Sequence, residues 1–166
     1  MPSGRWSVHA YETMPPCASV EPAALKLTLT GALTSVAGTR VKVADLDTQQ
    51  GTSVDWHRQR LQAGIEPAVS VEAFATAAQA LAVAEGYDIL IIDGPARTSQ
   101  ATAEIAKAAN LVVQPSGASL DDLRPAVREF HALVKAGIPA DRLTFALNRI
   151  GTPAEEADAR AYLEEA

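Results

Sequence analysis

The chain has 166 residues, enough for one domain with a hydrophobic core, and we treat residues 1–166 as a single domain. Its net charge of −6 gives no overall attraction to nucleic acid, and its one cysteine, Cys17, excludes an internal disulfide and a multi-cysteine metal site. No apolar run approaches the roughly 18 residues needed to cross a bilayer, and the N-terminus lacks the apolar segment of a signal peptide. We therefore expect a cytoplasmic protein with no membrane partner.

Predicted strands and helices alternate along the chain. The strands are predicted at residues 40–47, 87–93, 110–115 and 142–148, and the helices at 71–86, 98–109, 119–137 and 152–166. The apolar run Ile89–Ile92 is typical of a strand covered on both faces, as in a parallel sheet. Ser119 and Thr152 are predicted helix N-caps, and Pro153 fits the first helical position. This alternation indicates an α/β fold, a three-layer sandwich with a mostly parallel sheet.

Polar side chains follow the predicted strands at the point where each strand ends. Asp45 and Asp47 end one strand, Asp93 ends the next, and Asn148 ends the last. Parallel sheets bind ligands at the carboxyl ends of their strands, so we expect the three aspartates to crowd together at one edge. An aspartate placed directly after a buried strand supplies the hard oxygen ligand that a magnesium–phosphate site needs.

The chain resembles the ParA family of plasmid and chromosome partitioning ATPases, relatives of MinD, from about residue 37 to the end. The matching segments are "VKVADLDTQQGTSVDW", "YDILIIDGPAR", "AANLVVQPSGASLDDLRPA" and "GIPADRLTFALNRI", in the family's order. The second resembles the Walker B strand and second switch, and the fourth resembles the strand that ends near the nucleotide base. The resemblance implies a P-loop-NTPase-like fold of the deviant Walker A branch.

The same resemblance implies ATP and Mg²⁺ as cofactors and assigns roles by position. Asp93 would belong to the magnesium shell, with Asp45 near the metal. Asp47 would be the catalytic residue that orients the attacking water. Gly94–Pro95 would form the switch that senses the γ-phosphate, and Asn148 would face adenine.

The phosphate-binding loop of the family falls on residues 17–24, "CASVEPAA", where only Val20 agrees with the family pattern. The segment has no glycine to turn backbone N–H groups inward and no lysine to neutralise phosphate. Pro22 lacks an N–H donor, and Glu21 places a negative charge beside the polyphosphate. Residues 1–24 are therefore atypical, whereas residues 25–166 are family-like, and we expect impaired ATP binding and hydrolysis. It stays open whether the chain is an enzyme.

The resemblance also implies the binding partners that members of the family have. They imply a ParB- or ParG-like partner protein, nonspecific DNA binding to which residues 55–60, Arg97 and Arg128 would contribute, and a homodimer that encloses ATP. An alternative is a non-catalytic interaction module, or a degenerate remnant, on the same fold. We also expect a truncated C-terminus, because the chain stops where family members continue.

Overall fold

The computed structural model describes residues 39–48, 51–94 and 100–166 of the chain. The predicted phosphate-loop position at residues 17–24, Pro95 and Arg97 lie outside the described residues. Within these residues, no helix is both long and apolar enough to cross a membrane.

Strands and helices alternate throughout the described residues, as the sequence predicts. In chain order they are β1 (Val41–Asp45), α1 (Thr52–Gln62), β2 (Ser70–Ala73), α2 (Ala77–Ala82), β3 (Ile89–Asp93), α3 (Gln100–Ala108), β4 (Val112–Ser116), α4 (Leu120–Lys135), β5 (Leu143–Leu147) and α5 (Pro153–Glu165). Short 3₁₀ turns at Ala84–Gly86 and Ala140–Arg142 lead into β3 and β5.

All strand pairs are parallel and form two groups. One sheet has the order β2-β1-β3, and the other pairs β4 with β5. In the first sheet Val43 lies opposite both Val71 and Ile91, and Asp45 lies opposite Asp93. Because every strand runs the same way, the carboxyl ends within each sheet share one edge. The predicted parallel α/β architecture is confirmed.

Helices cover both faces of the first sheet. Ala44 packs with Phe74 and with Ala80 of α2, which places α2 on one face. The side chains of Asp45 and Asp93 point to the opposite face because neighbouring residues alternate along a strand. Ser53 of α1 contacts Asp93 there. The sheet therefore lies between two helical layers.

The second sheet packs against α4. Leu133 of this helix is buried with Ala106 of α3, Ile138 and Leu143, and Phe130 joins from the same helical face. The Phe130 ring stacks on Phe145 of β5 with the ring centroids 5.5 Å apart. This aliphatic and aromatic cluster packs α4 against the strands of the second sheet.

The structure corrects the predicted helix over residues 71–86. Residues Val71–Ala73 belong to β2, which pairs with β1, and α2 is confined to Ala77–Ala82. Thr76 is the N-cap of α2, because its hydroxyl accepts a hydrogen bond from the Gln79 N–H at 3.3 Å. Alanine content favoured helix, but pairing with a buried neighbouring strand determined the conformation of residues 71–73.

Ile89–Ile92 belong to β3 as predicted, in a sheet that has helices on both faces, but these four residues are half-buried rather than fully buried. β3 pairs with β1 on one side and is the edge strand of the described sheet.

The predicted N-caps Ser119 and Thr152 and the helix start at Pro153 are confirmed.

Candidate functional site

Two aspartates lie side by side at the carboxyl edge of the first sheet. Asp45 is the last residue of β1, Asp93 is the last residue of β3, and the two are direct partners in the parallel ladder. Asp45 is fully buried and Asp93 is 4 % exposed. Adjacent strands in register place both side chains on the same face, so the fold brings two carboxyl groups together in a poorly solvated position.

A serine from α1 completes this pair. Gly51 precedes the helix with φ of +60°, a left-handed conformation that glycine adopts without strain, and its N–H donates to the Asp47 carbonyl at 2.9 Å. This tight turn brings the first turn of α1 over the strand ends. There the fully buried Ser53 hydroxyl donates to Asp93 Oδ2 at 2.7 Å.

The two oxygens of Asp45 have different surroundings. Oδ1 accepts the Asp47 N–H at 3.0 Å, whereas the buried Oδ2 has no hydrogen-bond partner among the described residues. Burial raises the pKa of Asp45, and the charge of Asp93 raises it further, while the N–H groups of Asp47 and Val54 oppose the shift. A buried carboxyl oxygen without a donor, on a residue paired in the ladder with a second aspartate, favours a bound proton or cation.

The remaining predicted residues near this edge are Asp47 and Gly94. Asp47 lies two residues beyond β1, and its charge contributes to the raised pKa of Asp45. Gly94 directly follows Asp93, and a Cβ at this position would lie 3.8 Å from Ile105 Cδ1 of α3, an ordinary contact. Asp45, Asp47, Asp93 and Gly94 therefore share one end of the first sheet.

Asn148 belongs to the second sheet, at its own carboxyl edge. Its N–H donates to the Ser116 carbonyl at 2.8 Å and so extends the β4–β5 pairing by one step. Its side-chain oxygen accepts the N–H of Arg149 at 2.8 Å, and Arg149 has φ of +56°. The amide is thus part of a local turn that holds Arg149 in the left-handed region.

Arg149 points toward a cavity that the sequence did not reveal. The cavity has a volume of about 350 Å³ and is lined by Gly117, Ala118, Ser119, Asp122, Arg149 and Glu155. Arg149 Nη2 lies 3.5 Å from Asp122 Oδ2, and the Ser119 hydroxyl donates to the same carboxylate oxygen at 2.9 Å. The small residues Gly117 and Ala118 directly after β4 were the available signal, because small residues leave space at a strand end.

The donor set at the first sheet suits a hard cation only in part. Within the described ranges, no three His, Cys, Asp or Glu side chains are arranged to hold a metal ion. The buried, unpartnered Oδ2 of Asp45, the carboxylate of Asp93 and the Ser53 hydroxyl are nevertheless oxygen donors of the kind that Mg²⁺ prefers. Mg²⁺ usually completes its shell with water and substrate phosphates, so a partial protein shell fits this ion.

The parallel sheets, the helices on both faces of the first sheet and the polar strand ends define an α/β protein with a parallel sheet between helical layers. No protein-family model and no curated protein sequence matches the chain. Among solved structures, the chain is similar to the crystal structure of a ParA family ATPase from Chlorobium tepidum TLS, with a TM-score of 0.57 and 14 % sequence identity. The match covers 86 % of this chain and 75 % of that one. At this identity the similarity establishes a ParA-like fold.

Proposed function

We propose that this chain is a ParA-like protein of plasmid or chromosome partitioning whose ATP binding and hydrolysis are impaired. The main observation in support is that Asp45 and Asp93 are partners at the ends of adjacent parallel strands. The Ser53 hydroxyl donates a hydrogen bond to Asp93 at the same edge. Two carboxyl groups at the strand ends of a ParA-like fold support this proposal, because a magnesium–phosphate site uses carboxylate oxygens at such an edge.

In this proposal the edge residues keep the roles that the resemblance implies. Asp93 would belong to the shell of Mg²⁺, which neutralises phosphate charge when bound, and Asp45 would lie near the metal. The Ser53 hydroxyl, to which the resemblance gave no role, would add an oxygen donor. Asp47 would orient the attacking water, Gly94–Pro95 would respond to the γ-phosphate, and Asn148 would face the base of ATP.

Impairment follows from residues 17–24. A phosphate loop stabilises the transferring group with inward N–H donors and a lysine, and "CASVEPAA" offers no lysine, one proline and one glutamate. Loss of a single electrostatic stabiliser costs about 2.7–4 kcal/mol in the barrier, so several losses leave little turnover.

Calorimetric titration of the full chain with ATP·Mg²⁺ tests the nucleotide part. We expect a Kd weaker than about 0.1 mM and no detectable phosphate release, and micromolar affinity would overturn the impairment. Any weak binding should depend on Mg²⁺ and disappear in Asp93→Asn. The control variant Asp88→Asn removes a carboxylate close by in sequence whose partner is Arg40, and it should bind as the native chain does.

A second candidate function, a non-catalytic interaction module on the same fold, is favoured by the same glycine-free and lysine-free segment. Gel filtration separates the two. Dimerisation that appears only with millimolar ATP·Mg²⁺ supports the partitioning protein, and a nucleotide-independent elution volume supports the interaction module.

A further inference from the structure

Helix α4 carries a row of cationic and imidazole side chains on its outermost face. Arg124, Arg128, His131 and Lys135 are all exposed and follow one another at intervals of three or four residues. At 100° per residue they fall within an arc of about 60°. The buried side chains of the same helix, Leu123, Ala126 and Leu133, lie on the opposite face. We refer to these four exposed residues as the basic row.

No carboxylate in the part of the chain that the structure describes is seen in an ion pair with the basic row. The ion pairs seen there include Arg40–Asp88, Lys42–Glu72, Arg58–Asp55, Arg149–Asp122 and Arg160–Glu156. Of the acidic residues on α4, Asp122 and Glu129 lie more than about 90° around the helix from the centre of the row, and only Asp121 flanks it. A protein with an excess of acidic residues therefore presents a local cationic surface.

An aliphatic row runs alongside the basic row. It consists of Leu120, Val127 and Val134, spaced seven residues apart, and it lies about 70° to one side of the basic row. Leu120 is 47 % exposed, Val134 is 39 % exposed, and Val127 is half-buried. A spacing of seven residues keeps apolar side chains on one line along a helix, and a second helix can pack against such a line.

We propose that the outer face of α4, formed by the basic row and the aliphatic row, docks an acidic amphipathic helix of a partner protein. Arg124 and Lys135 are about 16 Å apart along the helix axis, the length of three helical turns. A partner helix with an apolar residue every seventh position and flanking glutamates would match both rows over that length.

The observations favour this partner over a nucleic acid. Phosphate binding requires cations alone and gains nothing from exposed Leu120 and Val134, whereas an amphipathic helix would bury both. The net charge of −6 repels a long polyanion more than it repels a short acidic helix. The proposal does not depend on the nucleotide site, because none of the seven side chains in the two rows belongs to the strand edge that carries Asp45 and Asp93.

The test is fluorescence anisotropy of the full chain with a labelled synthetic peptide of about 21 residues, with leucine at every seventh position and glutamates on both sides of the leucine line. We expect saturable binding that weakens at high salt. The Arg124→Glu/Arg128→Glu variant should bind about tenfold more weakly, since each exposed charge pair contributes modestly and reversal adds repulsion. Leu120→Ser should also weaken binding.

Lys107→Glu is the matched control, because Lys107 is an exposed lysine on α3, and it should leave peptide binding unchanged. Circular dichroism confirms that each variant is folded. Absence of saturable binding, equal loss in Lys107→Glu, or equal binding of a scrambled peptide would each overturn the proposal. Binding of a 20-base-pair duplex that is lost in the double variant, without peptide binding, would assign the face to nucleic acid instead.

Discussion

Asp45 and Asp93 are direct partners across the β1–β3 ladder, and both are buried. Their hydrogen bonding differs. Asp93 accepts a hydrogen bond from the Ser53 hydroxyl, whereas one side-chain oxygen of Asp45 has no hydrogen-bond donor among the described residues. Burial and the charge of Asp93 together raise the pKa of Asp45. Asp45 therefore holds a proton more readily than an aspartate in water does.

Asp45→Asn should make the protein more stable at neutral pH in the absence of divalent cations. An acid whose pKa is raised in the folded state contributes stability below its usual value of 3.8, and that stability is lost as the pH rises through the folded-state value. Asparagine keeps the acceptor for the Asp47 N–H and removes the repulsion with Asp93. Urea unfolding in EDTA at a series of pH values should therefore show the advantage of the variant growing from pH 4 upward and then levelling off.

Asp88→Asn provides the control with the opposite sign. The Arg40 side chain and N–H donate hydrogen bonds that lower the pKa of Asp88, so its contribution is present above the usual value of 3.8 and is lost as the pH falls through the folded-state value. This variant should be less stable than the native chain at neutral pH, with the difference closing in acid. If Asp45→Asn followed the same trend as Asp88→Asn, the raised pKa of Asp45 would be wrong.

Ser53→Ala should destabilise the protein by about 1.5–3 kcal/mol, because the lost hydrogen bond has a charged acceptor in a buried position. Ser116→Ala is the matched control, since that buried hydroxyl donates to the neutral Gly117 carbonyl at 3.0 Å, and its loss should cost about 0.5–1.5 kcal/mol. Chemical unfolding of both variants gives the comparison. Equal costs would show that the Ser53–Asp93 contact is no stronger than a neutral one.

Features set by short stretches of sequence were predicted correctly. The strand that ends at Asp93 follows from its apolar run, and the N-caps Ser119 and Thr152 follow from local side-chain-to-backbone bonding. Strand β2 was missed, because residues 71–73 are extended through pairing with β1 rather than through their own preference.

The candidate site likewise contains contacts that could be predicted from the sequence and contacts that could not. The proximity of Asp45 and Asp93 could be predicted because the strands of a parallel sheet end at the same edge, which is a general property of the fold. Ser53 was missed, since its position depends on the left-handed turn at Gly51 that directs α1 over the edge. The contact of Arg149 with Asp122 joins residues 27 positions apart in the sequence, and no local pattern indicates it.

Two leucines on α4 should respond very differently to the same substitution. Leu133 is 2 % exposed and packs with Ile138 and Leu143, so Leu133→Ala should cost about 2–5 kcal/mol through lost burial and a residual cavity. Leu120 is 47 % exposed, and Leu120→Ala should change stability by about 0.5 kcal/mol or less. Thermal or urea unfolding measures both. A large cost at Leu120 would mean that the exposed aliphatic row is part of the core rather than a docking surface.

Thr152→Ala should lower stability by about 1 kcal/mol and open the start of α5. The Thr152 hydroxyl accepts the Glu155 N–H at 3.2 Å, and Glu155 Oε2 accepts the Thr152 N–H at 3.2 Å and the Gly151 N–H at 2.8 Å. Alanine removes the first of these acceptors, so amide exchange at Glu155 should become faster while exchange in the middle of α5 changes little. Thr152→Ser retains the hydroxyl and should preserve slow exchange. Unchanged exchange at Glu155 in the alanine variant would contradict the capping role, because that N–H would then have another acceptor.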